Sequence, residues 1–204
     1  MGGGCFNGRV KNTFAILSLI VSLAASVPYI IDTVKKKIQP ERISWLLWSA
    51  LSVTYFTSAL MTDGAVLLMI GELIGPVIVF FLSLKYGVGG KSLFDRICLA
   101  VAVVAFILLL IIDQPIWGLF LALFVDLIGS ILTIRKLLKD RSSESRLSWG
   151  LFVVAPALAI VALENYSIES LAFPVYAVVA CSIIFFIIKP KKVSQKELKE
   201  IEKL

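Results

Sequence analysis

Two carboxylic acids interrupt long apolar stretches of this chain. Asp126 lies in the apolar run 115–135, and Glu72 lies in the run 65–85. If both runs are helices that cross a membrane in the same direction, a rise of about 1.5 Å per residue brings the two carboxyl groups to similar depths. Ionisable side chains inside a membrane span are costly, so each is a candidate substrate anchor, cation ligand or proton-titrating group. A protonated carboxyl bonded to a neighbouring helix is the structural alternative.

Hydroxyl groups share a helical face with Asp126. Ser130 follows it by four residues, which is about one turn of an α-helix. Ser22 and Ser26 repeat the same spacing in the first apolar run, 13–33. Each serine alone could bond the carbonyl of its own preceding turn. Two matching stripes favour a shared polar cavity, and we predict that these serines bind substrate together with the two carboxylates.

The second apolar run carries aromatic rings and hydroxyl groups on roughly one face. Trp48, Ser52 and Tyr55 offer the stacking surfaces and directional hydrogen bonds that a sugar or ring-bearing ligand requires, so we predict that they line the same cavity. Trp45 and Trp149 stand near the beginnings of their runs. Tryptophan commonly anchors a helix at the membrane interface there, and we assign both residues to that interface.

Four prolines fall within the apolar runs. Proline removes one backbone donor and allows a helix to kink. We predict that these residues act as hinges beside the cavity, with simple bends as the alternative: Pro28, Pro76, Pro156 and Pro174.

Composition identifies the elements that position these residues as membrane helices. The chain has 204 residues, 59% of them hydrophobic and 17% charged, with a mean hydropathy of +0.95. A soluble domain of this size has no core large enough to bury so much apolar surface. Seven runs approach the roughly 20 residues that cross a bilayer, which predicts an all-α membrane protein with seven transmembrane helices: 13–33, 43–62, 65–85, 95–112, 115–135, 147–163 and 168–189.

The residue inventory argues against an enzyme. The chain has no histidine, and Cys5, Cys98 and Cys181 stand far apart without zinc-type spacing. The apolar runs also hold no Ser-Lys pair and no HExxH motif. We therefore predict no catalytic residues, no metal site and no cofactor.

Basic residues predict the orientation in the membrane. Arg9 and Lys11 aside, the other 18 of the 20 Lys and Arg residues lie in alternate loops and the C-terminal tail. Such loops face the cytoplasm, which places segment 1–12 outside the cell and the charged tail 190–204 inside. The net charge of +6 then reflects topology, and we predict no nucleic-acid partner.

An internal repeat relates the two ends of the chain. An offset of 104 positions superposes the sequence 42–45 on 146–149, and both read Arg-x-Ser-Trp. The alignment continues without gaps through three apolar runs on each side. We predict two parallel three-helix repeats, 13–86 and 115–189, joined by the linker helix 87–114.

This plan resembles the PQ-loop/SWEET-like (MtN3-like) superfamily of 3+1+3 seven-helix membrane proteins, and the resemblance covers about residues 13–189. The proline of the family's first helix has a candidate in Pro28, within Ser-Val-Pro-Tyr at 26–29. Tyr29 follows Pro28, so the family's Pro-Gln dipeptide is absent. Leu132 stands at the position equivalent to Pro28 in the second repeat.

The resemblance implies a transporter or facilitator for a small polar solute such as a sugar, an amino acid or a vitamin-like molecule. Alternating access would occur at a site near the membrane midplane, between the two repeats. The alternative is a non-transporting receptor or a structural subunit of a larger complex, since fold does not fix function. The expected partners are the solute and the lipid bilayer. Proton coupling and homo-oligomerisation both stay open.

Overall fold

The described part of the chain consists of seven α-helices. A computed structural model describes residues 3–61, 66–112 and 114–189, and no strand occurs within these ranges. The predicted all-α class is therefore confirmed for this part of the chain. The helices are α1 Gly3–Val34, α2 Arg42–Met61, α3 Val66–Tyr86, α4 Leu93–Ile111, α5 Pro115–Lys139, α6 Arg146–Ala162 and α7 Ile168–Ile187.

Several helices have the length and the surface of membrane spans. Within the described residues, α1, α3, α4, α5 and α7 are long and apolar enough to cross a bilayer. Helix α6 has 17 residues and is about 26 Å long at 1.5 Å per residue. Large apolar side chains project outward, such as Phe81 and Phe186, which are 64% and 77% exposed. A surface of this kind is compatible with an integral, multi-pass membrane protein.

Two helices extend beyond the apolar runs that predict them. Helix α1 begins at Gly3, ten residues before the run 13–33, and α5 continues to Lys139, four residues past 135. Hydropathy locates the apolar stretch, whereas backbone hydrogen bonding continues through polar residues beside it. Basic side chains in the last turn of α5 also stabilise its C-terminal dipole. The predicted charged tail 190–204 lies outside the described residues.

Six helices form a closed ring, and α4 packs outside it. Around the ring, α1 packs on α3, α3 on α2, α2 on α5, α5 on α7, α7 on α6, and α6 on α1. Helix α4 packs mainly against α5. The ring encloses the space in which inward-facing polar side chains meet.

Polar contacts attach α4 to the ring at one end. The Arg135 guanidinium of α5 lies 2.7 Å from Asp95 Oδ1 of α4 and stacks over the Phe94 ring. Asp95 also completes a capping box with Ser92, because each side chain accepts a hydrogen bond from the backbone N–H of the other residue. One carboxylate thus both starts the helix and fixes it to its neighbour.

Glycines on α3 allow α1 to approach closely. Gly71 and Gly75 are four residues apart and face Ser22 and Ser26 of α1. A Cβ added at Gly71 would stand 2.6 Å from the Cβ of Ser22, which is closer than two non-bonded carbon atoms approach. Small residues at this spacing let two helix backbones pack tightly within a membrane.

Replacing Gly71 by alanine is expected to lower the free energy of unfolding by about 1–3 kcal/mol, because the new methyl overlaps Ser22. Unfolding from mixed micelles by SDS titration measures the loss. Gly118→Ala is the matched control, since its Cβ would meet ordinary contacts at 3.5 Å from Leu109 and 3.7 Å from Ile112. Equal stability of both variants would show that the α1–α3 contact is not tight at this position.

Candidate functional site

The ring encloses a central cavity of about 80 Å³ that is partly open to its surroundings. Helices α2, α3, α5, α6 and α7 all contribute side chains to its wall. The lining residues are Trp45, Trp48, Ser52, Tyr55, Leu68, Glu72, Pro76, Asp126, Ser130, Trp149, Phe152, Pro156, Phe173, Tyr176, Ala177, Ala180 and Cys181.

Asp126 receives hydrogen bonds from two different helices. Trp48 Nε1 of α2 donates to Asp126 Oδ1 at 3.1 Å, and the Tyr176 hydroxyl of α7 donates to the same oxygen at 3.0 Å. Ser130 extends this network, with its Oγ 3.3 Å from the Tyr176 hydroxyl. Both donors converge on Oδ1, so Oδ2 accepts no hydrogen bond from the residues that the structure describes.

Glu72 is held by one donor from α1. Ser22 Oγ donates to Glu72 Oε1 at 2.8 Å, through the gap that Gly71 leaves between the two helices. Pro76 lies four residues after Glu72 and cannot donate to its backbone carbonyl. The cavity wall beside Glu72 therefore carries acceptors in excess of donors.

Tyr55 places a free hydroxyl in the cavity wall. Its ring packs against Phe173 with centroids 4.4 Å apart. The hydroxyl is buried, yet it has no hydrogen-bond partner among the described residues. A buried polar group without a partner costs free energy, and a bound ligand or water would satisfy it. Ser52, one turn away, instead donates to the Ser49 carbonyl.

Aromatic rings form the floor of the cavity. Trp45, Trp48 and Trp149 contact one another in sequence, with centroid distances of 5.1 Å and 5.9 Å and edge-to-face geometry. Trp149 also packs on Phe152 at 5.7 Å. Trp45 Nε1 donates to the Tyr29 hydroxyl at 3.1 Å. Edge-to-face contacts of this kind add to the stability that burial provides.

Charged groups close the bundle beneath this floor. We call the end at which α2 and α6 begin the basic end, because Arg42, Lys136 and Arg146 lie there. The Lys136 ammonium pairs with Glu144, whose carboxylate is buried. Trp149 Nε1 donates to the other oxygen of Glu144 at 2.8 Å. The floor is thus bonded directly to the ion pair.

Glu41 caps α2 at the same end. Its Oε2 accepts from the Ser44 backbone N–H at 2.6 Å and lies 2.9 Å from the Ser44 hydroxyl. Burial raises the pKa of Glu41, and the two Ser44 groups oppose that shift. Gly89 has a φ of 91° and lies in the loop between α3 and α4. It lets this loop pass directly over the Glu41 carboxylate, where a side chain would not fit.

A second cavity lies toward the opposite end of the bundle. It is lined by Asn12, Ser18 and Glu164, and it shares Leu68 with the central cavity. Ser18 Oγ donates to the Ala155 carbonyl across the α1–α6 contact. The two cavities therefore meet at one apolar side chain.

The structure brings six of the eight predicted binding residues to one cavity: Asp126, Glu72, Ser130, Trp48, Ser52 and Tyr55. Ser22 and Ser26 do not line it. Ser22 contacts it only through Glu72, and the buried Ser26 lies against Gly75. The role of all eight in substrate binding stays a prediction.

The interfacial assignment of Trp45 and Trp149 is wrong. Both lie inside the bundle, 2% and 3% exposed, and form the cavity floor. Each indole N–H has a buried partner, which removes the need to remain near lipid headgroups. The four prolines predicted as hinges all lie inside helices, and Pro76 and Pro156 line the cavity.

Tyr176 is the functional residue that sequence reasoning misses. A tyrosine in an apolar run is common, so its type alone gives no signal. The offset of 104 positions, however, superposes Tyr176 on Glu72, and that pairing could have drawn attention to it.

Comparison with known proteins yields no match among protein-family models, curated proteins or solved structures. The geometry of the site therefore carries the functional argument.

Replacing Trp48 by phenylalanine removes one donor from Asp126 Oδ1 and is expected to cost about 1–3 kcal/mol of stability. Trp117→Phe is the matched control, because Trp117 is 59% exposed and does not line the cavity. SDS titration of both purified variants compares the two losses. A smaller loss for Trp48→Phe than for the control would contradict the hydrogen bond.

Removing the charge of Lys136 leaves the Glu144 carboxylate buried without its ion partner. Lys136→Met is expected to lower the free energy of unfolding by about 3 kcal/mol or more. Adding Glu144→Gln should restore most of the loss, since a neutral amide can still accept from Trp149. Lys139→Met is the control, because Lys139 is exposed on the same helix. A double variant no more stable than Lys136→Met would argue against this pairing.

Proposed function

We propose that this protein is a membrane transporter or facilitator that moves a small polar solute by alternating access at the central cavity. The observation that carries the proposal is the convergence of Asp126, Glu72 and Tyr55 on one cavity inside a ring of apolar helices. Polar groups at this depth are costly unless they serve a solute or a partner. The proposed architecture has seven transmembrane helices, with the N-terminus outside and the C-terminus in the cytoplasm.

The order of helices around the ring supports two parallel repeats. If α1, α2 and α3 are exchanged with α5, α6 and α7, each neighbouring pair becomes another neighbouring pair. The α1–α3 contact maps onto α5–α7, α2–α3 onto α6–α7, and α2–α5 onto α6–α1. Helix α4 has no counterpart, as expected of a linker that only reverses the direction of the chain. This order of helices supports the proposed 3+1+3 plan, which resembles that of the PQ-loop/SWEET-like superfamily.

The polar pairs of the cavity support the same exchange. At the offset of 104 positions, Ser22 corresponds to Asp126, and Glu72 corresponds to Tyr176. Both pairs are hydrogen-bonded, at 2.8 Å and 3.0 Å. In the first pair the hydroxyl lies on α1 and the carboxylate on α3. In the second pair the carboxylate lies on α5 and the hydroxyl on α7. Equivalent positions thus perform the same contact with the donor and acceptor exchanged.

Closure at one end favours transport over a static receptor. A packed cluster that includes Tyr29, Val79 and Leu137 lies against the tryptophan floor at the basic end. At the other end the central cavity meets the second cavity at Leu68. Closure of the basic end beneath a cavity supports one state of an alternating-access cycle. Movement of α1–α3 against α5–α7 would then open the basic end.

Uptake into proteoliposomes tests the proposal. The full-length protein is reconstituted and assayed with labelled glucose, leucine, arginine, choline and thiamine, against protein-free liposomes. At least one solute is expected to enter, and Asp126→Asn should slow its entry at least tenfold, because the carboxylate anchors the solute. Asp140→Asn is the control, since Asp140 is exposed at the basic end.

Folded protein that moves none of these solutes would contradict transport. If Asp126→Asn leaves uptake unchanged, the protein is a transporter but Asp126 does not anchor the solute. Size-exclusion chromatography of each variant establishes that the helices remain assembled.

A further inference from the structure

We propose that the central cavity binds an organic cation, whose charge pairs with Asp126 and whose body packs against the aromatic floor. The inference rests on the proposed function, because it names the class of solute for the same site.

The strongest acids and bases in the described cavity wall are all carboxylic acids. Asp126 and Glu72 are among the described lining residues, and no lysine or arginine is among them. On α5 the first basic residue after Asp126 is Arg135, nine residues farther on and therefore about 13 Å along the helix. Its guanidinium already pairs with Asp95 on the side of α4. A cation would offset the desolvation of a carboxylate here, whereas an anion would add a second uncompensated charge.

Aromatic side chains dominate the wall. Seven of its 17 lining residues are aromatic, against 11% in the whole chain. The faces of such rings attract cations within about 6 Å, and desolvation strengthens the attraction. Trp48 combines both features, because its ring contacts Trp149 while its N–H bonds Asp126. A cation beside Asp126 Oδ2 would therefore have aromatic surface close by.

Unused polar groups define what else the ligand contacts. Both donors to Asp126 bond its Oδ1, and no described residue bonds its Oδ2. The buried Tyr55 hydroxyl also lacks a partner among the described residues. A ligand with an N–H or O–H group could donate to Asp126 Oδ2. It could also donate to the Tyr55 hydroxyl or accept a hydrogen bond from it. An ammonium or guanidinium group attached to a short polar chain fits these requirements.

A bare metal ion matches the groups of the cavity wall poorly. Within the described residues no three histidine, cysteine, aspartate or glutamate side chains group together as a metal site. Hard metal cations take about six or more oxygen ligands, whereas aromatic rings form much of this wall. An organic cation uses the rings as well as the carboxylate.

Equilibrium dialysis of the purified full-length protein in detergent tests the inference with three matched pairs. Each pair contains a cation and a neutral molecule of similar shape: guanidinium and urea, choline and 3,3-dimethyl-1-butanol, and benzylammonium and benzyl alcohol. At least one cation is expected to bind tenfold or more tightly than its neutral counterpart. Asp126→Asn should reduce that preference to less than threefold, and Asp140→Asn should leave the preference unchanged.

A preference for the neutral members, or equal binding within threefold for all three pairs, would overturn the inference. So would a cation preference that survives both Asp126→Asn and Glu72→Gln. If Asp126→Asn fails to assemble, Glu72→Gln serves as the second variant and should weaken cation binding at least threefold.

Binding and uptake separate this inference from the proposed function. If a cation binds selectively but does not enter proteoliposomes, the cation site is supported and the transport proposal is overturned. If glucose enters and no cation is preferred, the transport proposal is supported and the cation site is overturned.

Discussion

A carboxylate enclosed by apolar helices must obtain its hydrogen bonds from the helices around it. A buried oxygen without a hydrogen-bond partner costs free energy that a solvent-exposed oxygen recovers from water. Asp126 meets this requirement by accepting from Trp48 of α2 and Tyr176 of α7. One buried charge thereby fixes the relative positions of three helices.

The same constraint recurs at two other levels of the bundle. Glu72 accepts from Ser22, which requires α1 and α3 to approach as closely as Gly71 allows. At the basic end, Glu144 accepts from Trp149 and pairs with Lys136. Each acid joins elements that are distant in sequence. The fold is therefore apolar on its outer surface and joined by a few buried acids inside.

The sequence predicts where the helices lie along the chain better than it predicts which residues they contact. Apolar runs locate the helices because lipid exposure constrains composition over about 20 residues. They misplace the start of α1 by ten residues, since a polar stretch can continue a helix without any hydropathy signal. The sequence singles out Asp126 and Glu72 as candidate site residues because an ionisable side chain in an apolar run is energetically costly.

Residues whose role depends on a neighbour were harder to assign. Trp149 occupies a helix start, where an interfacial anchor and a cavity floor have the same sequence position, and only its bond to Glu144 distinguishes them. Four-residue spacing placed Ser22 and Ser26 on one face of α1 but did not reveal that this face meets the glycines of α3. Tyr176 is ordinary in type, and its importance follows from lying within reach of Asp126.

The two polar pairs also make the walls of the cavity chemically unequal. On one side the hydroxyl of Ser22 precedes the carboxylate of Glu72 in the order of the chain, and on the other side Asp126 precedes Tyr176. A binding space with unlike walls and a fixed floor has handedness. A solute that engages both walls and the floor can do so in one orientation only, so its mirror image would leave a polar group of the cavity unmatched. A cavity of this kind would distinguish the two enantiomers of any chiral solute that contacts both walls and the floor.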